Sequence, residues 1–239
     1  MLASRWSLVL PILLTQLVNV AVVRAQVASP TASALASPVN PATCTVAPRP
    51  TEELRQLMLE GIAQRSWATP TAPDDAAPSV VHPADPATVE AVTATIAQFY
   101  ACSNAGNLAV VVALTTDDVA RESLGGVAIF YGHLITSGQG TPAPHETPAP
   151  AVLDALLAGF SVPVPLPSDQ QVALLDVRDV AVLSNGWVQA VVVTASARDP
   201  APVAHMMYLV NVDGQYRYVG DSRLPSDQAA TPTTGTPTS

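Results

Sequence analysis

The chain has no lysine, so its ten positive side chains are all arginines. That absence excludes a Schiff-base nucleophile, a lysine general base and a P-loop, whose glycine-rich turn needs a lysine to reach the phosphates. Cysteine is almost as scarce: Cys44 and Cys102 are the only two, too few for a zinc site of their own. His82, His133, His145 and His205 show no ligand spacing among themselves or with the cysteines, so neither a metal nor any cofactor is expected. Charged residues make up 12% of the chain and the formal net charge is −9, which argues against a nucleic-acid partner, since a polyanion demands a basic surface. Nor is there a contiguous nucleophile motif, and any chemistry must come from residues far apart in sequence.

What is present begins with a targeting pattern. Arg5 precedes the apolar run from Ser7 to Val23, interrupted by Pro11, Gln16 and Asn19, and small residues in Val23-Arg24-Ala25 suit a signal peptidase. The expectation is a signal peptide over residues 1–25, cleaved after Ala25, with a secreted or otherwise extracytoplasmic mature chain. No cysteine follows the cleavage point to carry lipid, and no later stretch reads as membrane-spanning. In an oxidising compartment a lone cysteine pair implies a Cys44–Cys102 disulfide. Residues 26–43 are Ala, Ser, Pro and Thr, a disordered linker in which too little apolar surface is available to offset ordering. Residues 44–82 form an N-terminal arm with one short helix, starting at Thr51-Glu52-Glu53-Leu54, carrying Leu54, Leu57 and Met58 on one face and having Gly61 near its end. Thr69 to Pro83 is a proline-rich separator, and residues 226–239 a disordered Thr/Pro tail.

The main domain, 83–225, opens with helical punctuation. Asp85 is an N-cap acceptor, Pro86 suits the first helical position, and Val89, Val92, Ile96, Phe99 and Tyr100 make one apolar stripe. Asn104-Ala105-Gly106 closes that helix, Asn107 caps a second from Leu108 to Leu114, and Thr116 begins a third. Asp117 and Asp118 then read as first-turn acids that complement the helix dipole. Val127 to Ile135 has the composition of a strand, Gly138 to Pro150 is a long Pro/Thr loop, and Ala151 to Phe160 is a further helix. The last third is a meander. Val172 to Leu183 carries a break near Asp176 to Asp179, Ser184-Asn185-Gly186 turns into Trp187 to Ala197, and Ala204 to Val212 returns through Asp213-Gly214 to Gln215 to Ser222. Helices followed by antiparallel strands predict an α+β domain, with helices covering one sheet face.

In this order and spacing, Asn104-Ala105-Gly106-Asn107-Leu108, Ala113-Leu114, Asp117-Asp118 and the hairpin Asp213-Gly214-Gln215-Tyr216 resemble the nuclear transport factor 2-like, or SnoaL-like, superfamily. The resemblance covers about Pro83 to Pro225 and implies a cone-shaped curved antiparallel sheet packed on N-terminal helices, of the cystatin-like kind. It leaves function open, because that superfamily contains enzymes, ligand binders and partner-binding modules. Its ketosteroid-isomerase branch aligns without gaps through the helix, glycine turn and Asp-Asp start. The branch's oxyanion tyrosine falls on Phe99 and its general base on Ser123, so both working groups are missing. Tyr100 is adjacent to Phe99 but turned about 100° around the helix.

Three functional readings follow. The first is a non-catalytic binding module whose cone, lined by Phe99, Tyr131, Trp187, Tyr208 and Tyr218, holds a small apolar ligand or is filled by its own side chains. The second is an isomerase, dehydratase or cyclase working on a small apolar substrate through Asp117, Asp118, His133 or His205 with Tyr131; it requires one of these beside a second polar group in a real cavity. The third is an envelope module that forms a homodimer through its open sheet, since both faces of the Trp187 and Ala204 strands are apolar.

Overall fold

The computed structural model describes residues 37–67, 78–137 and 148–224. The stretch read as a signal peptide, most of the Ala/Ser/Pro stretch after it, the body of the 138–150 segment with His145, and the Thr/Pro tail lie outside the described residues, as does the His133 side chain. After a single turn at Pro41–Thr43 come α1 (Thr51–Trp67), β1 (Val80–Pro83), α2 (Pro86–Asn104), α3 (Leu108–Ala113), α4 (Asp117–Ser137) and α5 (Pro150–Phe160). Four strands follow: β2 (Val172–Leu183), β3 (Val188–Ser196), β4 (Val203–Val212) and β5 (Gln215–Arg223). The strands form one curved antiparallel sheet in the order β1-β2-β3-β4-β5, so the α+β class holds. Among the described residues no helix is long and apolar enough to cross a membrane.

The punctuation of α2 is as expected. The Asp85 carboxylate accepts from Ala87 N and Thr88 N, satisfying donors that the first turn leaves open. At the other end Gly106 adopts φ 64°, and a Cβ there would lie 1.7 Å from the Val164 carbonyl oxygen, so only glycine fits. The apolar stripe of α2 then packs Val92 and Ile96, with Val89, Phe99 and Tyr100, onto Val188, Ala190, Val192, Met207 and Leu209 of the sheet. β2 shifts register between Leu174 and Asp176 and between Arg178 and Ala181, with Asp179 at φ 53°, which is the break its sequence predicted.

Three expectations are corrected. Val127 to Ile135 is not a strand but the second half of α4, which runs unbroken from Asp117 to Ser137. Ala120, Leu124 and Ala128 are buried at a spacing of four, and they face Leu54, Leu57, Met58 and Ile62 of α1, so tertiary packing at helical period overrides local β-propensity. Gly61, for its part, does not close α1, which continues to Trp67. It sits where α1 crosses α4, and a Cβ on it would come within 1.9 Å of the Arg121 carbonyl oxygen; one on Gly125 would reach 2.4 Å from the Gly61 carbonyl carbon. Helix-interior glycine costs roughly 1 kcal/mol against alanine, and the close approach of the two backbones is the return. Val80–Pro83, read as separator, pairs antiparallel with β2 as the sheet's edge, where proline is tolerated.

The arm is built into the molecule. Leu54, Leu57, Met58 and Ile62 are each no more than 5% exposed, and burial contributes roughly 1.5–3 kcal/mol per side chain of this kind. Cys44 and Cys102 stand at bonding distance, 2.16 Å between sulfurs and 4.8 Å between Cα atoms, across 58 residues. In the chain-entropy treatment such a link stabilises by about 4 kcal/mol, so Cys44→Ser should lower the melting temperature by several degrees, and equal melting of the variant and the oxidised parent would show the link to be energetically idle. Gly61→Ala should destabilise by about 1–3 kcal/mol through forced separation of α1 from α4. Gly159→Ala, with nothing within 4 Å of the added Cβ, is the matched control and should be neutral or slightly stabilising in the same melt.

Candidate functional site

The strongest concentration of polar chemistry lies under the C-terminal half of α2, on the sheet face that the helix covers. Strand pairing decides which side chains reach it. Leu209, Met207 and His205 of β4 share a face with Ala190 and Val192 of β3, and their β5 partners are Tyr218, Asp221 and Arg223. Tyr218 and Asp221 are three residues apart and would face opposite ways on a regular strand. A register shift between Tyr208 and Leu209 inserts Val219 as an extra residue and brings both to the inner face.

At that face the Tyr218 hydroxyl donates to Asp221 Oδ1 in a short hydrogen bond, and His205 Nδ1 is 3.6 Å from Asp221 Oδ2. That is ion-pair reach but too long for a hydrogen bond, and Nδ1 is buried without a partner. The Tyr100 hydroxyl points into the same space, 4.0 Å from Met207 Sδ, a weak contact. Phe99 stacks at 5.3 Å on Tyr218 and at 5.7 Å, edge-on, against Tyr100. Burial, then the charge of Asp221, pushes both tyrosine hydroxyls well above their ordinary range. Burial also lowers His205, opposed by Asp221 and helped by Arg223. A carboxylate, an imidazole and two phenols inside an apolar helix–sheet interface are costly to place there and form a candidate site on physical grounds.

A second feature lies on the other side of α2. Ala91, Ala94, Thr95 and Gln98 floor an open groove of about 560 Å³, walled by Val46 to Arg49 of the arm, by Ala113 and Leu114, and by Gly214 to Arg217 of the β4–β5 turn. Its wall is fixed in place: Gln98 accepts from Thr45 N and donates to the Thr43 carbonyl, and Arg49 donates to Val112 O, Thr115 O, Glu53 and Asp117. None of the Tyr100–His205–Tyr218–Asp221 cluster lines this groove.

Of the residues singled out from sequence, Phe99, Tyr218 and His205 come together under α2. Tyr131 sits on α4 with its ring against Phe130 at 5.3 Å. Trp187 lies at the β2–β3 turn, its backbone N–H bonded to the Asn185 side chain, and Tyr208 pairs with Gln189 and Gly220 on the sheet's outer face. Asp117 receives Arg49 at 2.8 Å and stands 3.9 Å from Arg217, while Asp118 bonds Arg121, so both are engaged at the start of α4. The Arg49 hydrogen bond holds the Asp117 carboxyl below the usual range. Sequence reading missed Asp221, whose face depends on a bulge, and Arg49, a cation between two prolines of the arm with no motif around it. Tyr100 was part of the stripe, and its turn away from Phe99 is what carries its hydroxyl to the cluster. Among the described residues no group of three or more His, Cys, Asp or Glu side chains could hold a metal ion. Compared with protein-family models, curated proteins and solved structures, the chain matches none.

The cluster sets a pH dependence. Burial keeps His205 neutral below its ordinary value of 6.5, so on acidification the unfolded chain takes up that proton first and stability falls. Asp117 adds a loss of the same sign at lower pH, as its carboxylate is protonated away from Arg49. The melting temperature should therefore drop between about pH 7 and pH 5, and His205→Leu should flatten the drop. A parent that melts higher at pH 5, or a variant with an unchanged slope, would contradict this account of His205.

Proposed function

We propose that this is a nuclear transport factor 2-like domain that works outside the cytoplasm and binds a small, largely apolar ligand without transforming it. The order of α2, α3 and α4 ahead of the meander, with α2 laid across the inner sheet face, supports the fold part of this reading. A disulfide supports the compartment. The observation that carries the binding part is the groove beside α2. Its 560 Å³ falls within the range of small-molecule sites, its floor is alanine, and its far wall is clamped by hydrogen bonds rather than left to move.

Against ketosteroid-isomerase chemistry stand Phe99, which has no hydroxyl, and Ser123, which lies within α4 and is no proton acceptor near neutral pH without a base of its own. Missing an oxyanion donor alone costs about 100- to 1000-fold. The protein should therefore isomerise a β,γ-unsaturated ketone no faster than buffer, and turnover well above that control would overturn the non-catalytic reading. Binding is checked on the other side: Ala94→Trp, at an exposed helix position on the groove floor, should weaken a bound apolar fluorophore at least ~10-fold while moving the melting temperature little. An enzyme remains the second reading because of one observation, the convergence of Tyr100, Tyr218, Asp221 and His205. Under it, a turnover of some small substrate exists that Asp221→Asn abolishes.

A further inference from the structure

We infer that the groove beside α2 takes an amphiphilic monocarboxylate, with its carboxylate on Arg217 and its hydrocarbon body along the alanine floor; this rests on the groove being the binding site. The two cations of the groove differ in what they have left to give. Arg49 is spent on two backbone carbonyls and two carboxylates. Arg217 is not: its Nε is buried without a hydrogen-bond partner, and its Nη1 is 3.9 Å from an Asp117 oxygen that Arg49 already holds at 2.8 Å. Its side chain is only 27% exposed, so the guanidinium is partly desolvated, and its two Nη groups, which make no hydrogen bond among the described residues, are left to fork onto a carboxylate.

On the helix side of the groove the polar side chains are already engaged. The Thr95 hydroxyl returns to Ala91 O and the Gln98 amide is consumed by Thr43 and Thr45, so neither offers a second polar anchor. Val46, Ala47, Pro48, Ala91, Ala94 and Leu114 present hydrocarbon. A neutral ligand would leave the Arg217 donors unmade. A dianionic phosphate would meet Asp117, 3.9 Å from the same guanidinium, and Glu53 elsewhere in the lining. A single carboxylate fits between these limits. The chain's formal charge of −9 does not oppose it decisively, since charges beyond the Debye length of about 8–10 Å are screened and Arg217 is in contact.

Calorimetric titration of the full chain with octanoate, octanol and octyl phosphate tests the assignment. Octanoate should bind at least ~10-fold more tightly than either of the others, and Arg217→Gln should bring octanoate down to the octanol level while leaving octanol unchanged. Arg217→Lys, a point charge without the fork, should fall between and serves if the glutamine variant does not fold. Equal binding of acid and alcohol, tighter binding of the phosphate, or a preference that survives Arg217→Gln would overturn the carboxylate assignment. The groove reading would still stand in those cases, provided Ala94→Trp weakens every ligand. If none of the three binds the parent, or Ala94→Trp changes nothing, the groove reading and this inference fall together.

Discussion

Asn104 is the joint on which the molecule closes. It is fully buried, and its amide donates to the carbonyls of Val39 and Val172 while its carbonyl accepts from Val172 N, each at 2.9 Å. Three segments far apart in sequence, the arm, the end of α2 and the start of β2, meet on one side chain. Aspartate has no donors to offer the two carbonyls, leucine would take a partner from the Val39 carbonyl and the Val172 N–H while the Val172 carbonyl keeps its bond from Val39 N, and each buried orphan costs roughly 1–3 kcal/mol. The segment before β2 is tied to the same place, because the Asn104 backbone carbonyl accepts from Leu166 N and the Gly106 carbonyl from Val164 N. With this corner fixed, the arm has one path along α2, and the disulfide and Arg49 hold its next ten residues to that path. The groove exists because the path is fixed.

What could be read in the sequence was what depends on neighbours. Asp85 before Pro86, Gly106 after Asn104 and Asp213-Gly214 between two valine-rich runs state their conformations within a few residues, and both ends of α2 and the hairpin fell where they were expected. The strand expected at Val127 to Ile135 failed because the residues that decide it are remote: α4 is helical there while its earlier turns, at Ala120, Leu124 and Gly125, lie against α1. Edge strand β1 was hidden for a similar reason. Its exposed Val80 and Val81 give no alternation, and only pairing with Val182 and Leu183 makes it a strand. The candidate site was legible in part, with His205 standing out as a titratable side chain in a valine-rich strand. Phe99 and Tyr218 follow from helical and strand period, whereas Asp221 reaches the same face through a one-residue bulge that no period predicts.

The groove and the polar cluster share a helix, and this relates two features that pocket and chemistry would otherwise separate. Ala91, Ala94, Thr95 and Gln98 form one stripe of α2, and Val92, Ile96, Phe99 and Tyr100 another, as the 3.6-residue period requires. The two stripes cannot move independently, because the helix is held at its start by Asp85 and at its end by Asn104. β5 carries the same duality: Arg217 faces the groove at one end of the strand, while Tyr218 and Asp221 face the cluster. The inner face of the same strand sets the distance between Asp221 and His205. That distance, 3.6 Å, is just outside hydrogen-bond range, where a shift of half an ångström decides whether the bond forms.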